Sequence, residues 1–165
     1  AFPLVPIITN KETESIQLFH WGLIPHWAKD KEIRKNTLNA RIETIEEKPS
    51  FRSYTTNRCL VLIDGFYEYQ WQDPKGKVKK LYLMTMPDGE PFALGGLYSV
   101  WTDTITGELI PSFTILTMKA SEQMAVIHNT KKRMPLILTK ENEMDWLEGR
   151  LDDTLFNGNL ITTVL

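Results

Sequence analysis

Three histidines, one cysteine and a glutamate set among aromatics are the residues of this chain with the most chemistry to offer. His20, His26 and His128 bring the side chain that carries protons near neutrality and binds most transition metals. A zinc hydrolase pairs two histidines four apart on a helix with a glutamate between them, whereas His20 and His26 straddle a loop punctuated by Gly22 and Pro25. No metal is expected from that spacing. His128 closes a short helical segment and opens the polar and basic run His128-Asn129-Thr130-Lys131-Lys132-Arg133. A helix C-terminus favours the imidazolium, so His128 reads either as a proton-transfer group or as a plain cap. Glu68 interrupts Phe66-Tyr67-Glu68-Tyr69, on the strand face opposite the two tyrosines. A carboxylate beside apolar surface is poised for proton transfer because desolvation disfavours its charged form. The plainer alternative is a glutamate on the wet side of a strand.

Asn39-Ala40-Arg41-Ile42-Glu43 shows neither helical nor strand periodicity and joins an amide to a guanidinium. Asn39 suits the orientation of a carbonyl or water and Arg41 a forked grip on phosphate, although an exposed loop with an ordinary salt bridge has the same letters. Trp21 and Trp27 with Arg41 suggest stacking beside a cation, a recurring way to hold single-stranded nucleic acid; buried loop tryptophans read alike. Cys59 has a nucleophile's element but begins the apolar run Cys59-Leu60-Val61-Leu62-Ile63, where a thiol is normally inert packing. G-x-S-x-G, Walker A and G-x-G-x-x-G patterns are absent, leaving hydrolase-elbow, nucleoside-triphosphatase and dinucleotide readings without support.

The elements that position these groups are mostly strands. Phe2 to Asn10 reads as an apolar strand of internal character, so a segment preceding it is expected to carry chemistry of its own. Ile16 to Phe19 is a short strand, Trp21 to Trp27 a loop, and Pro49 to Tyr54 a short helix with proline in its first turn. Arg58 to Ile63 has the continuous apolar pattern of a strand covered on both faces. Phe66 to Trp71 and Val78 to Met86 flank Asp73-Pro74-Lys75-Gly76 as a hairpin. Phe92 to Trp101 and Ser112 to Thr117 follow as strands, and Gly95-Gly96 permits a bulge or a close backbone approach. Ser121 caps a helix to Ile127, Leu136 to Leu138 is a strand, and Thr139 caps a helix ending at Leu147. The run Leu160 to Leu165 reads as part of a terminal strand, expected to be incomplete. Tight turns between successive strands predict an α+β fold: one domain over residues 1–165, with a mainly antiparallel, curved, barrel-like sheet and short flanking helices.

The 165 residues, 42% hydrophobic and 24% charged, suffice for a core and exclude a disordered chain. With 19 basic against 21 acidic residues, binding of nucleic acid would have to use a local basic cleft rather than a positive surface. No stretch reaches the roughly 18 uncharged apolar residues of a membrane span, and the single cysteine excludes an internal disulfide or a cysteine zinc framework.

Read in order, Trp21-Gly22-Leu23-Ile24-Pro25-x-Trp27, Asn39-Ala40-Arg41-x-Glu43-Thr44, Phe51-Arg52, Arg58 through Glu68, and Ile127-His128 with Arg133-Met134-Pro135 resemble the SOS response-associated peptidase family over nearly the whole chain. The resemblance implies recognition of abasic sites in single-stranded DNA and their capture as a covalent crosslink, after a peptidase-like self-maturation that exposes an amino-terminal cysteine. That cysteine's α-amine and thiolate would close a thiazolidine on the sugar aldehyde. Cys59, without a free α-amine, does not serve. By the same resemblance Asn39 positions the reacting end, Glu68 is the acid/base that opens the sugar, and His128 is the second proton-transfer group. Arg41 and Arg133 would bind phosphates, Trp21 would pack against a displaced base or kink, and Thr117 would add a polar contact. Asn129 to Lys132 departs from the pattern as an insertion between His128 and Arg133. The implied protein is a cytoplasmic monomer that joins the nucleoid during DNA damage and uses no cofactor. A noncatalytic single-stranded DNA-binding module of the same fold is the alternative; a peptidase acting on other proteins lacks a nucleophile and oxyanion hole here.

Overall fold

The computed structural model describes residues 2–150 and 158–165. Among them the chain forms β1 (Leu4–Thr9), β2 (Glu12–Trp21), β3 (Asn39–Arg41), β4 (Arg58–Ile63), β5 (Gly65–Trp71), β6 (Lys79–Thr85), β7 (Phe92–Thr102) and β8 (Leu109–Lys119). These are followed by α1 (Glu122–Ile127), β9 (Arg133–Pro135), β10 (Ile137–Leu138), α2 (Glu143–Leu147) and β11 (Ile161–Val164).

β4 and β7 are covered on both faces, as their apolar runs predict: Cys59, Leu60 and Val61 are buried in succession, and so is every residue from Phe92 to Ser99. Each lies between two others. β7 pairs with β4, β4 with β1 and β1 with β2; β2 then runs parallel to β8, and β8 returns antiparallel to β7. The five strands close a ring, the barrel-like sheet expected. All five send side chains into one cluster, among them Ile7, Phe19, Val61, Leu94 and Phe113, which therefore occupies the enclosed face. The alternate residues of β4 and β7, such as Leu60, Ala93 and Leu97, meet Leu136, Trp146 and Leu147 outside the ring. There the Trp146 indole N–H donates to the Cys59 carbonyl at 3.0 Å, which fixes α2 against β4.

A second sheet of β5, β6 and β11 packs against the ring. Phe66, Tyr82 and Met84 turn into the first cluster while Tyr67 and Tyr69 face water. Period-two alternation therefore aims Glu68 inward with Phe66, and the wet-side alternative for Glu68 does not hold.

Several expectations need correction. Asn39-Ala40-Arg41 is a strand, β3, running parallel to β8 through Asn39↔Ile115 and Arg41↔Thr117. Three residues are too few to show a period, and the partner that makes them a strand lies far along the chain. The structure around Pro49 is a 3₁₀ turn at Arg52–Tyr54 rather than an α-helix. α2 starts from Asn142, not Thr139, because the Asn142 side-chain oxygen accepts the Thr139 N–H at 2.8 Å and holds that residue in a turn. Trp21 is the last residue of β2 rather than part of a loop. The Ser121 cap stands, with its hydroxyl accepting from Met124 N–H at 3.3 Å.

Of the two readings of Gly95-Gly96, close approach is the one realised. A Cβ on Gly96 would stand 2.8 Å from the Thr114 carbonyl oxygen, 2.9 Å from Cys59 Sγ and 3.1 Å from Val61 Cγ2. Gly96→Ala is expected to destabilise the protein by about 1–3 kcal/mol through overpacking that backbone cannot relieve, measured as a lowered midpoint in urea at an unchanged slope.

Candidate functional site

Where the second sheet meets the ring, a cleft of about 200 Å³ opens between β5, the end of β2, β3, β8 and the α1–β9 loop. Trp21, Asn39, Glu68, Thr117, His128 and Arg133 all line it. Six of the seven site residues predicted from sequence thus share one cavity. Arg41 is absent from the lining: it is exposed at the end of β3, where its backbone pairs with Thr117, and among the described residues its side chain makes no hydrogen bond. Trp27 is also outside, half exposed with its indole N–H directed to the Pro49 carbonyl. A larger hollow of about 500 Å³ beside Trp71 and Asn129 has, among the described residues, Asp73 as its one ionisable lining group, whereas Glu68, His128 and Arg133 gather in the smaller cleft.

The cleft is built from backbone constraints. Trp21 donates its indole N–H to the Leu38 carbonyl at 2.8 Å, which fixes the ring and leaves its face to the cavity. Glu68 comes in from β5, its Oε1 accepting the Tyr69 N–H at 3.0 Å. His128 is the C-cap of α1, and its ring is held by the backbone of Arg133. With a proton on Nδ1 it donates to the Arg133 carbonyl at 2.8 Å; without one it accepts the Arg133 N–H at 3.2 Å. Either way Nε2 is the ring nitrogen without a hydrogen bond among the described residues. His128 Nδ1 and Glu68 Oε2 stand 4.0 Å apart, each side chain a little under one-quarter exposed. A carboxylate and an imidazole this close, both reached by water, can hold and pass protons.

Arg133 behaves differently from the free phosphate fork expected. It grips Glu43 in bidentate fashion at 2.8 and 2.9 Å, and one of the same nitrogens donates to the Thr117 carbonyl at 2.8 Å and to the Thr117 hydroxyl at 3.2 Å. The hydrogen bond from Arg133 is the foremost reason the Glu43 carboxyl is held below the usual carboxylate range, with burial opposing it. Glu43 is the group that sequence reasoning left without a role. Its signal was present as the acid in Asn39-Ala40-Arg41-x-Glu43, but its partner stands 90 residues further on. The other histidines serve structure: His20 Nδ1 is 3.2 Å from the Phe2 carbonyl, and the His26 backbone N–H donates to the Tyr54 hydroxyl. Cys59 is fully buried, and desolvation pushes its thiol far above the ordinary range. Among the described residues no group of three or more His, Cys, Asp or Glu side chains could hold a metal, and no helix is long and apolar enough to cross a membrane.

The family model described as SOS response associated peptidase (SRAP) matches residues 3–162. The chain belongs to that family. It is 40% identical over 151 residues to the abasic site processing protein YoqW of Bacillus subtilis, covering 91% of this SRAP chain and 65% of that protein. It is 30% identical over 152 residues to the abasic site processing protein HMCES of Gallus gallus, covering 78% and 44% of the two. A solved protein of Bacteroides thetaiotaomicron superposes with a TM-score of 0.80 at 41% identity, over 94% of this chain and 66% of that one. One from Bordetella bronchiseptica does so at 0.82 with 25% identity, over 98% and 83%. The SRAP chain thus spans just under two-thirds of the Bacillus relative's length.

The Arg133–Glu43 pair sets a pH dependence. A carboxyl whose folded pKa is depressed stabilises the fold above its unfolded value, near 4.5, and loses that contribution as pH falls through the folded value. Wild type is expected to melt above Glu43→Gln at neutral pH, with the gap closing below about pH 4.5, followed by thermal denaturation across pH 3 to 7.

Proposed function

We propose that this cleft handles abasic single-stranded DNA and that the full protein captures the lesion covalently through an amino-terminal cysteine. The observation that carries the reading is the 4.0 Å approach of Glu68 to His128 on the wall of a cavity that Asn39 and Trp21 also line. The names of the relatives, abasic site processing proteins, agree with it.

An abasic deoxyribose must open before it can be trapped. Opening moves the proton of the anomeric hydroxyl to a base and returns a proton to the ring oxygen, which leaves an aldehyde and an alcohol. Glu68 faces the cavity as that acid/base. The α-amine then adds to the aldehyde, water leaves as the imine forms, and the thiolate closes on the imine carbon as its nitrogen takes up a proton, giving a thiazolidine. His128, fixed at Nδ1 and presenting Nε2, moves the protons of the dehydration. Asn39 orients the reacting end, the Trp21 face takes a base or the kinked strand, and Thr117 adds a polar contact. Arg41, exposed beside the cleft, takes a flanking phosphate; Arg133 adds its charge from a fixed position, since Glu43 occupies its fork. The Pro3 carbonyl accepts from the Trp21 N–H at 3.0 Å, so Pro3, just ahead of β1, lies against the residue that lines the cleft from β2.

The test uses the full-length protein and uracil-excised single-stranded DNA, read by denaturing gel, intact mass and amino-terminal sequence. A gel-stable adduct is expected, with Glu68→Gln slowing its formation by about 10²-fold while DNA affinity stays near wild type. Equal capture by Glu68→Gln would remove that residue from the mechanism. Salt-sensitive binding with no adduct would leave a noncatalytic DNA-binding module.

A further inference from the structure

We infer that Asn129 is a positioning residue that holds His128 at its working distance from Glu68 by fastening the α1–β9 loop to the edge of β5; the inference rests on the role proposed above for that pair. Asn129 follows His128 directly, and Trp71 follows Glu68 by three residues along one strand. The Asn129 side chain joins the two segments at both ends of its amide: Oδ1 accepts the Trp71 N–H at 3.0 Å and Nδ2 donates to the Trp71 carbonyl at 2.8 Å. Among the described residues β5 pairs with β6 and with no strand on its other side. The carboxamide carries an acceptor and a donor on one plane, as a backbone edge does, and so supplies a rung on the open side of β5.

The loop's other hydrogen bonds do not reach β5. Lys132 N–H returns to the His128 carbonyl at 3.0 Å, Asn129 N–H to Ile127 at 2.9 Å, and the Lys132 carbonyl accepts from Ala120. These close the loop on itself and on the end of β8. Lys132 sits at φ 49, a left-handed conformation that a side-chain-bearing residue holds only where its surroundings fix it. Just before the loop, Gln70 Nε2 donates to the Val126 carbonyl at 2.9 Å and anchors the end of α1. Among the described residues, the Asn129 clamp is the hydrogen-bonded tie from residues beyond His128 to the strand that carries Glu68.

Proton transfer is sensitive to placement; a shift of about 1 Å remote from the chemistry can cost on the order of 10²-fold in rate. In the full-length protein, Asn129→Ala is expected to slow single-turnover capture of abasic single-stranded DNA at least tenfold. Its affinity for a strand carrying the unreactive tetrahydrofuran analogue should stay within twofold. Asn129→Asp keeps the acceptor for Trp71 N–H but lacks the donor, and should fall between. In a Glu68→Gln background, Asn129→Ala should slow capture no further, whereas a general loss of structure would slow both backgrounds equally. A capture rate for Asn129→Ala within twofold of wild type, or equal slowing in both backgrounds, overturns the inference. Two nuclear magnetic resonance readouts need no turnover: in Asn129→Ala the Trp71 amide should exchange faster, and the His128 ring signals should lose their response to Glu68→Gln. If wild type forms no adduct, the proposed function fails, and these readouts decide the coupling; unchanged exchange and an unchanged His128 response overturn it.

Discussion

A sheet that closes on itself leaves its ring strands no free edge, and here the closure passes through one crowded place, where β7 lies between β4 and β8 at Gly96. There is no room for a side chain between the Thr114 carbonyl and the Cys59 sulfur, so the distance between strands is set by backbone contact. Everything that forms the cleft hangs from that frame. β8 fixes β3 in parallel register on one side and β9 in antiparallel register on the other, which brings Asn39, Thr117 and Arg133 to one edge of the barrel. The second sheet, seated on the enclosed cluster through Phe66 and Met84, contributes Glu68 from the opposite wall.

Charge is handled in two ways within this small space. Arg133 and Glu43 satisfy each other in bidentate geometry, with the Thr117 carbonyl and hydroxyl accepting further from Arg133, and so act as a fixed strut between the start of β9 and the turn after β3. Glu68 and His128 approach without that embrace: each spends one atom on backbone, Oε1 on Tyr69 and Nδ1 on Arg133, and both line the cleft 4.0 Å apart. A locked pair serves architecture, while a pair held apart by its backbone attachments stays available for proton movement.

Much of this was legible from residue types because the strongest signals were local. The continuous apolar run at β4, the aromatic alternation of β5, the turn at Asp73-Pro74-Lys75-Gly76 and the serine ahead of α1 each produce their element from a few neighbouring residues. Most of what escaped depends on distant partners: β3 becomes a strand only because β8 lies beside it. The cap of α2 is a local exception, moved from Thr139 to Asn142 by one side-chain contact three residues away. The side of β5 on which Glu68 falls was open until packing of the second sheet decided it. Motif order brought six cleft residues together where periodicity could not, yet it gave no hint that Arg133 is engaged by Glu43 or that Asn129 substitutes for a strand edge.

The burial of Cys59 has a bearing on how sulfur chemistry could be carried out on this scaffold. Its thiol stays protonated and walled in by β7, which keeps it from attacking electrophiles and from the oxidation steps that begin at a thiolate. A thiol-directed reagent applied to the folded protein would therefore leave residues 1–165 unlabelled and report only on cysteines carried elsewhere in a longer chain.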